Sequence, residues 1–432
     1  MPQFAPSNLR LHFKPLTERA SALILALTVG VTVALVSIAF FKIVGFITPI
    51  WRQNLPTELK YNMDSISLTL AASLLISSLL AGYFLSKIKD GRPHGPADLI
   101  LAAQKEEAPD LKVGTYSSIL ALINLSGGAS VGIFGPLVHL GGCVSEFVHK
   151  KFDRLPKDIV LGCGGGAAIA AIFAAPIGAA VFAHEAIIRR FGAFGTVPVI
   201  IACFAAFEVS DLALGSHRMY SVIMEPTLDY STLFYTFLLG IVTGLFSIVY
   251  ISLITNLPKA LKVTKVKIIF RPIIPATLLF FISPVLPHVL GAGSETVALA
   301  MSGGLSISLI IALIFAKIFV TPICLSFGFF GGVFAPALFI GSMLGALWDL
   351  LLVTPGQTSF ALVGAASIAA ATLGSPLATI IIVFEMTGSY EGAVLSMLSV
   401  SLACLISRSF IGRSLFDRQI LSRGIILKDD HI

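Results

Sequence analysis

The sequence predicts an all-α membrane protein: two repeats of transmembrane helices, several of them broken and tilted. Three observations carry that expectation. The first is composition. Of the 432 residues 56% are hydrophobic and 12% charged, and the mean hydropathy is +0.94, whereas an ordinary soluble domain carries about 25% charged residues. The second is a set of stretches without Asp, Glu, Lys or Arg, long enough for a hydrocarbon core that takes about 20 helical residues. The third is a self-similarity that appears when the chain is slid by 200 positions against itself.

The uncharged stretches are 21–41, 65–86, 113–145, 159–184, 230–258, 272–294, 318–348 and 350–384. The first follows Arg10, Lys14 and Arg19, as the apolar region of a secretory leader would. It continues with little interruption to Trp51, far beyond such a region, and further spans follow, so it is read as a membrane span. The stretches 113–145 and 318–348 are interrupted by Gly and Pro. That pattern suits pairs of short or broken helices better than one rod, and the chain is expected to hold ten or more helical segments.

At the 200-residue offset, Ser126, Gly132, Phe134, Pro136, Pro176 and Glu185 fall on Ser326, Gly332, Phe334, Pro336, Pro376 and Glu385, and Ile177 through Phe182 parallels Leu377 onward. The expected organisation is an N-terminal tail over 1–19, a first transmembrane repeat over 20–210, a connection over 211–229, a second repeat over 230–420 and a short tail over 421–432. The connection is polar and includes His217, Arg218, Glu225 and Asp229. Neither half is expected to fold alone, and no CBS domains are expected after the last span.

Charge and cysteine usage exclude several classes. The net charge of +6 comes from Lys and Arg scattered over loops and tails, so nucleic acid is not an expected partner, and the pattern reads as positive-inside anchoring. Arg408, Arg413, Arg418, Arg423 and Lys428 then put the C-terminal tail in the cytoplasm, with the N-terminus beside it, in a multi-pass protein of the cell's inner (plasma) membrane. Cys143, Cys163, Cys203, Cys324 and Cys404 lie in apolar segments without metal-like spacing. They read as buried packing residues, and neither a metal nor a cofactor is expected.

The repeated motif is Gly132-Ile133-Phe134-Gly135-Pro136 and Gly332-Val333-Phe334-Ala335-Pro336. Gly permits close backbone approach, and Pro suits the first turn of a helix, where its missing N–H costs nothing. Each copy therefore reads as a broken-helix junction whose unpaired N–H groups present partial positive charge at a common point. That is a site for an anion. Neither copy contains Lys or Arg, which would hold a small anion too tightly for rapid release. Read alone, the same Gly and Pro residues could simply pack helices. The duplication argues against that.

These residues make the chain similar to the CLC family of chloride channels and chloride/proton antiporters, in particular to prokaryotic-type members, and its counterparts of the family's four ion-binding stretches span nearly the whole sequence. The resemblance implies two inverted-topology repeats, a homodimer with one pathway in each subunit, and chloride or a similar small inorganic anion as bound substrate. Arg92-Pro93-His94-Gly95-Pro96 stands for the family's Gly-Ser-Gly-Ile-Pro, and Gly132 to Pro136 for Gly-Arg-Glu-Gly-Pro. Gly332 to Pro336 keeps Gly-x-Phe-x-Pro, and Phe416 takes the place of a tyrosine whose hydroxyl meets the ion. The resemblance thus implies an anion site of backbone amides and pathway lining from Gly132, Ile133, Phe134, Gly135, Val333, Phe334, Ala335, Pro93, His94 and Phe416.

Phe134 occupies the position of the gating glutamate, so the gate carries no titratable group. The second, proton-supplying glutamate of coupled members aligns with Ala186. Glu185 and His184 are the candidate proton-related groups, although a carboxylate present in both halves, as Glu185 and Glu385 are, suits a structural helix-end role equally. His139 and His184 in apolar helices read mainly as packed, hydrogen-bonded residues. The expected function is passive anion transport without obligatory proton coupling, in a protein that is not an enzyme. The alternative is a proton-coupled chloride or nitrate antiporter with a non-standard proton route, since Pro93 resembles nitrate-preferring members. A remote alternative, an intramembrane serine hydrolase, rests on Gly128-Ala129-Ser130-Val131-Gly132, which lacks the strand-to-helix turn of a nucleophile elbow. Gly162-Cys163-Gly164-Gly165-Gly166 reads as close helix packing, and 160–190 with 376–407 as the expected dimer faces.

Overall fold

The computed structural model describes residues 16–52, 68–88, 91–152, 155–215, 219–220, 228–260, 266–352 and 359–426. The tails 1–15 and 427–432, and the connection residues His217, Arg218 and Glu225, lie outside the described residues. The first eight helices are α1 (Leu16–Arg52), α2 (Leu68–Lys87), α3 (Pro96–Gln104), α4 (Leu111–Ser126), α5 (Phe134–Phe152), α6 (Lys157–Phe173), α7 (Pro176–Phe182) and α8 (Ala193–Leu214). A π-helical turn, Ala183–Ile188, extends α7. The second set is α9 (Tyr230–Ala260), α10 (Ile273–Ile282), α11 (Ser294–Met301), α12 (Ile307–Ser326), α13 (Phe334–Leu352), α14 (Ser359–Leu373), α15 (Pro376–Thr387), α16 (Tyr390–Ile411) and α17 (Leu415–Leu421). Seven helices among the described residues are long and apolar enough to cross a membrane.

Both long uncharged stretches are broken as expected, 113–145 into α4 and α5 and 318–348 into α12 and α13. The breaks have the same cause in each half. Gly128 and Gly328 follow the ends of α4 and α12 with φ of +95° and +101°, a left-handed conformation that costs Gly least. Pro136 and Pro336 then sit in the first turns of the next helices, and Pro176 and Pro376 open α7 and α15.

At the centre stand α6 and α14, buried without interruption over 158–171 and 360–373. Small residues make that possible. A methyl group on Gly141 would lie 2.3 Å from the Gly164 carbonyl oxygen, and one on Gly341 would lie 2.1 Å from that of Gly364, so only hydrogen fits at either crossing. The glycine run 162–166 is therefore packing, as expected. The same burial corrects the expected dimer face: residues 160–171 are covered by the chain's own helices, and only the later part of 160–190 reaches the surface, where Ile177 is exposed. The five cysteines are free and buried.

The two halves also cap each other. The Glu185 carboxylate accepts the amides of Leu377 (3.2 Å) and Ala378 (2.8 Å) at the start of α15. The Glu385 carboxylate accepts those of Ile177 (3.0 Å) and Gly178 (2.7 Å) at the start of α7. Each glutamate thus satisfies orphan N–H groups at a helix start in the other half. This exchange explains why both repeats carry the residue.

Candidate functional site

The two motifs meet through their glycines. The Gly132 amide donates to the Gly332 carbonyl at 2.8 Å, the Gly332 amide donates to the Gly132 carbonyl at 2.5 Å, and the pair forms a one-step antiparallel bridge. Such closeness excludes side chains. A methyl on Gly331 would lie 2.4 Å from Val131, and one on Gly332 would lie 2.5 Å from the Gly135 nitrogen. From this bridge α5 and α13 start with their N-termini together and run apart.

Gly132, expected to offer its amide to an anion, instead spends it on Gly332. The amides that follow are different. Those of Ile133, Phe134 and Gly135, and of Val333, Phe334 and Ala335, have no acceptor among the described residues, and the first internal bonds run from Leu137 to Ile133 and from Ala337 to Val333. Two sets of three donors, each at the positive end of a 19-residue helix, therefore share one small volume.

Aromatic rings close that volume. The Phe134 ring lies 4.8 Å from Phe334, 5.9 Å from Phe173 and 5.4 Å from Phe182, and Phe173 stands edge-on to Phe334 at 5.3 Å. Phe134 is 2% exposed. Rings in such tilted and T-shaped arrangements stabilise one another beyond their buried area, and their edges carry partial positive charge. The cluster is thus a packed apolar group beside the two helix starts. Phe173 and Phe182 were missed by sequence reasoning, since nothing in the spacing of two ordinary core phenylalanines sets them apart.

The first stretch reaches this centre through Pro96, against which a methyl on Gly135 would pack at 3.4 Å, and through Gly95, which faces the Phe330 ring. Pro93 lies in the irregular lead-in to α3. The His94 amide donates to the Ser117 hydroxyl at 2.8 Å, so it is engaged, while the His94 ring stands edge-on to His139 at 5.7 Å. Asp98 accepts the Gly95 amide at 3.0 Å and pairs with Arg92 and with Arg423 beyond α17. This tethers the lead-in. Phe416 is buried in the first turn of α17, outside the aromatic cluster. A hydroxyl reaches the second motif from elsewhere: Tyr250 of α9 donates to the Val333 carbonyl at 3.3 Å, and no motif had marked it.

Of the candidate proton-related groups, Glu185 is engaged at α15 as described above. His184 lies in the π-helical turn, its Nδ1 2.8 Å from the Arg190 carbonyl and its ring stacked on Phe191. Ser130 has the Thr321 hydroxyl at 3.5 Å and neither His nor carboxylate as hydrogen-bond partner, which is not the surrounding of a nucleophile. No group of three or more metal-ligating side chains occurs among the described residues.

Seven described helices long and apolar enough to cross a membrane, with two helix starts paired at the centre, suit a membrane transport protein. The model of the voltage gated chloride channel family matches residues 73–408, and the chain belongs to that family, whose members move anions and are not enzymes. Among solved structures it is similar to a slow cyanobacterial Cl⁻/H⁺ antiporter, with 19% identity, TM-score 0.81, and 95% of this chain and 99% of that one covered. It is also similar to a CLC-type fluoride/proton antiporter, with 21% identity, TM-score 0.79 and coverage of 94% and 99%. A eukaryotic CLC transporter aligns with 20% identity, TM-score 0.77 and coverage of 96% and 77%. At these identities the likeness is one of fold.

Proposed function

We propose that this protein carries chloride or a similar small anion passively through the junction of α5 and α13, without obligatory exchange for protons. The observation that carries the reading is Phe134. Where a titratable gate would stand, a ring packed on Phe334, Phe173 and Phe182 adjoins unpaired amides, so an anion is met by dipoles and ring edges with no group that takes up a proton. Gly135, Ile133, Val333, Phe334 and Ala335 supply the amides, Pro93, His94 and Phe416 line the approach, and Phe134 is the gate. Weak multi-point attraction of this kind favours release as well as entry.

The test uses vesicles containing purified protein and loaded with chloride, nitrate or fluoride. Anion efflux that proceeds down its gradient without moving protons uphill is the expected result. Robust proton pumping driven by a chloride gradient would sink the proposal. A second reading, proton-coupled antiport, is favoured by the His94 and His139 rings beside the pathway, because the buried Nε2 of His139 has no described partner. The same assay decides between them.

The protein is further proposed to act as a homodimer in the inner (plasma) membrane, with both termini cytoplasmic and the two repeats spanning 20–210 and 230–420. The exposed apolar residues Ile177, Ile200, Phe204, Leu377, Met397 and Leu405 supply the face for a second copy.

A further inference from the structure

Lys317 is the one lysine or arginine that is buried among the described residues, and it lies within the membrane-spanning helix α12. Its ammonium donates to the carbonyls of Val289 and Gly291 at 3.0 and 2.9 Å. The face of Phe339 stands 4.9 Å away. No described carboxylate pairs with it; the ion pairs of the described residues join other groups. A charge buried in a membrane protein without a counter-charge is costly, and two carbonyl dipoles and a ring offset only part of that cost.

Its position says what completes the compensation. Phe339 lies on α13, five residues beyond Phe334, which is about 7.5 Å along a helix. On the other side, the Gly291 amide donates to the Gly128 carbonyl at 3.2 Å, in the segment that leads into the first motif. Lys317 therefore meets the second motif's helix at Phe339 and, through Gly291, the segment before the first motif, and it bonds to none of the unpaired amides. Its counterpart at the 200-residue offset is Ser117, whose hydroxyl takes the His94 amide. The same supporting place in the two halves holds a neutral hydroxyl in one and a cation in the other.

Resting on the anion-transport reading, we propose that Lys317 is a determinant of anion affinity: its ammonium is the counter-charge of an anion at the α5 and α13 helix starts, acting through space without direct contact. This separation reconciles a full positive charge with fast release.

Three variants separate charge from packing. Lys317→Gln keeps donors for the two carbonyls and loses the charge, Lys317→Arg keeps the charge, and Lys317→Met keeps the length but has neither charge nor donors. Anion efflux from vesicles is measured over a series of chloride concentrations. Lys317→Gln should raise the half-saturating chloride concentration about tenfold, the effect of one unit charge on the order of 10 Å away at an effective dielectric constant of about 20. Lys317→Arg should stay near the wild type. Lys317→Met should raise that concentration as Lys317→Gln does, and this variant serves if Lys317→Gln fails to fold. An unchanged half-saturating concentration in Lys317→Gln or Lys317→Met would overturn the proposal and leave Lys317 as a loop latch. A wild-type protein that moves no anion would instead overturn the transport reading itself.

Discussion

At the scale of single residues, Phe134 holds the strongest prediction. Its ring is buried by three others, so Phe134→Ala should lower the thermal stability of the purified protein, by about 3 kcal/mol for a buried aromatic truncated to Ala. It should also raise anion efflux, because the proposed gate is gone. Phe134→Glu should make efflux depend on pH in a definite direction. An ionised carboxylate competes with the anion for the free amides, and a protonated one does not, so flux should rise as the medium is acidified. Flux indifferent to pH would show that residue 134 does not stand in the pathway. Phe134 was legible in the sequence because it stands where the second stretch of the resembled family carries a glutamate. Phe173, Phe182, Tyr250 and Lys317 were not, because their significance arises only from chain segments brought together by folding, such as α9 against the second motif.

At the scale of elements, the sequence marked helix breaks well because Gly and Pro act locally. Gly128 and Gly328 follow the helix ends inside the two stretches expected to be broken, whereas the helix starts at Pro176 and Pro376 were marked only as repeat landmarks. It did not mark the π-helical turn Ala183–Ile188, a change in hydrogen-bond register without a breaker residue. Nor could it settle Glu185 and Glu385, for which a cap and a proton carrier are the same side chain until the partner is seen. Each carboxylate takes two amides from the other half. Glu185→Ala should therefore cost about 1 kcal/mol, as the loss of a helix cap does, read as a lower unfolding temperature in detergent. The stoichiometry of anion and proton movement should be unchanged in that variant. A changed stoichiometry would restore Glu185 to the proton route.

At the scale of the whole molecule, the duplication was legible and its inverted arrangement was not, since an offset carries no direction in space. The family resemblance implied it, and the Gly132 to Gly332 bridge shows the two motifs antiparallel. Gly332→Ala tests how closely the halves must approach. Its methyl would lie 2.5 Å from the Gly135 nitrogen and 3.2 Å from that of Phe134, over amides the site leaves free. Anion binding should weaken roughly a hundredfold, taking about 1.5 kcal/mol for each of two amides withdrawn from a charged partner, as isothermal titration with chloride would measure. The dimer expected from the family resemblance predicts a light-scattering mass in detergent of twice the chain's 45.7 kDa, after correction for bound detergent. The chain mass alone would remove the exposed face around Ile177 and Leu377 from consideration as a subunit contact.

The glycine bridge also bears on time. Because α5 and α13 are tied at their origins by two reciprocal hydrogen bonds, separating them means breaking both in a dry interior, which makes slow rocking of one half against the other a poor way to admit each ion. If Phe134 is the gate, as proposed, the part left to move is its side chain, and rotation about its own bonds moves a few atoms where rocking moves a domain. Because that ring is buried among three others, its turning is slower than the picosecond-to-nanosecond flips of exposed side chains. On the proposed reading, the rate at which ions pass is then limited by how often one ring turns.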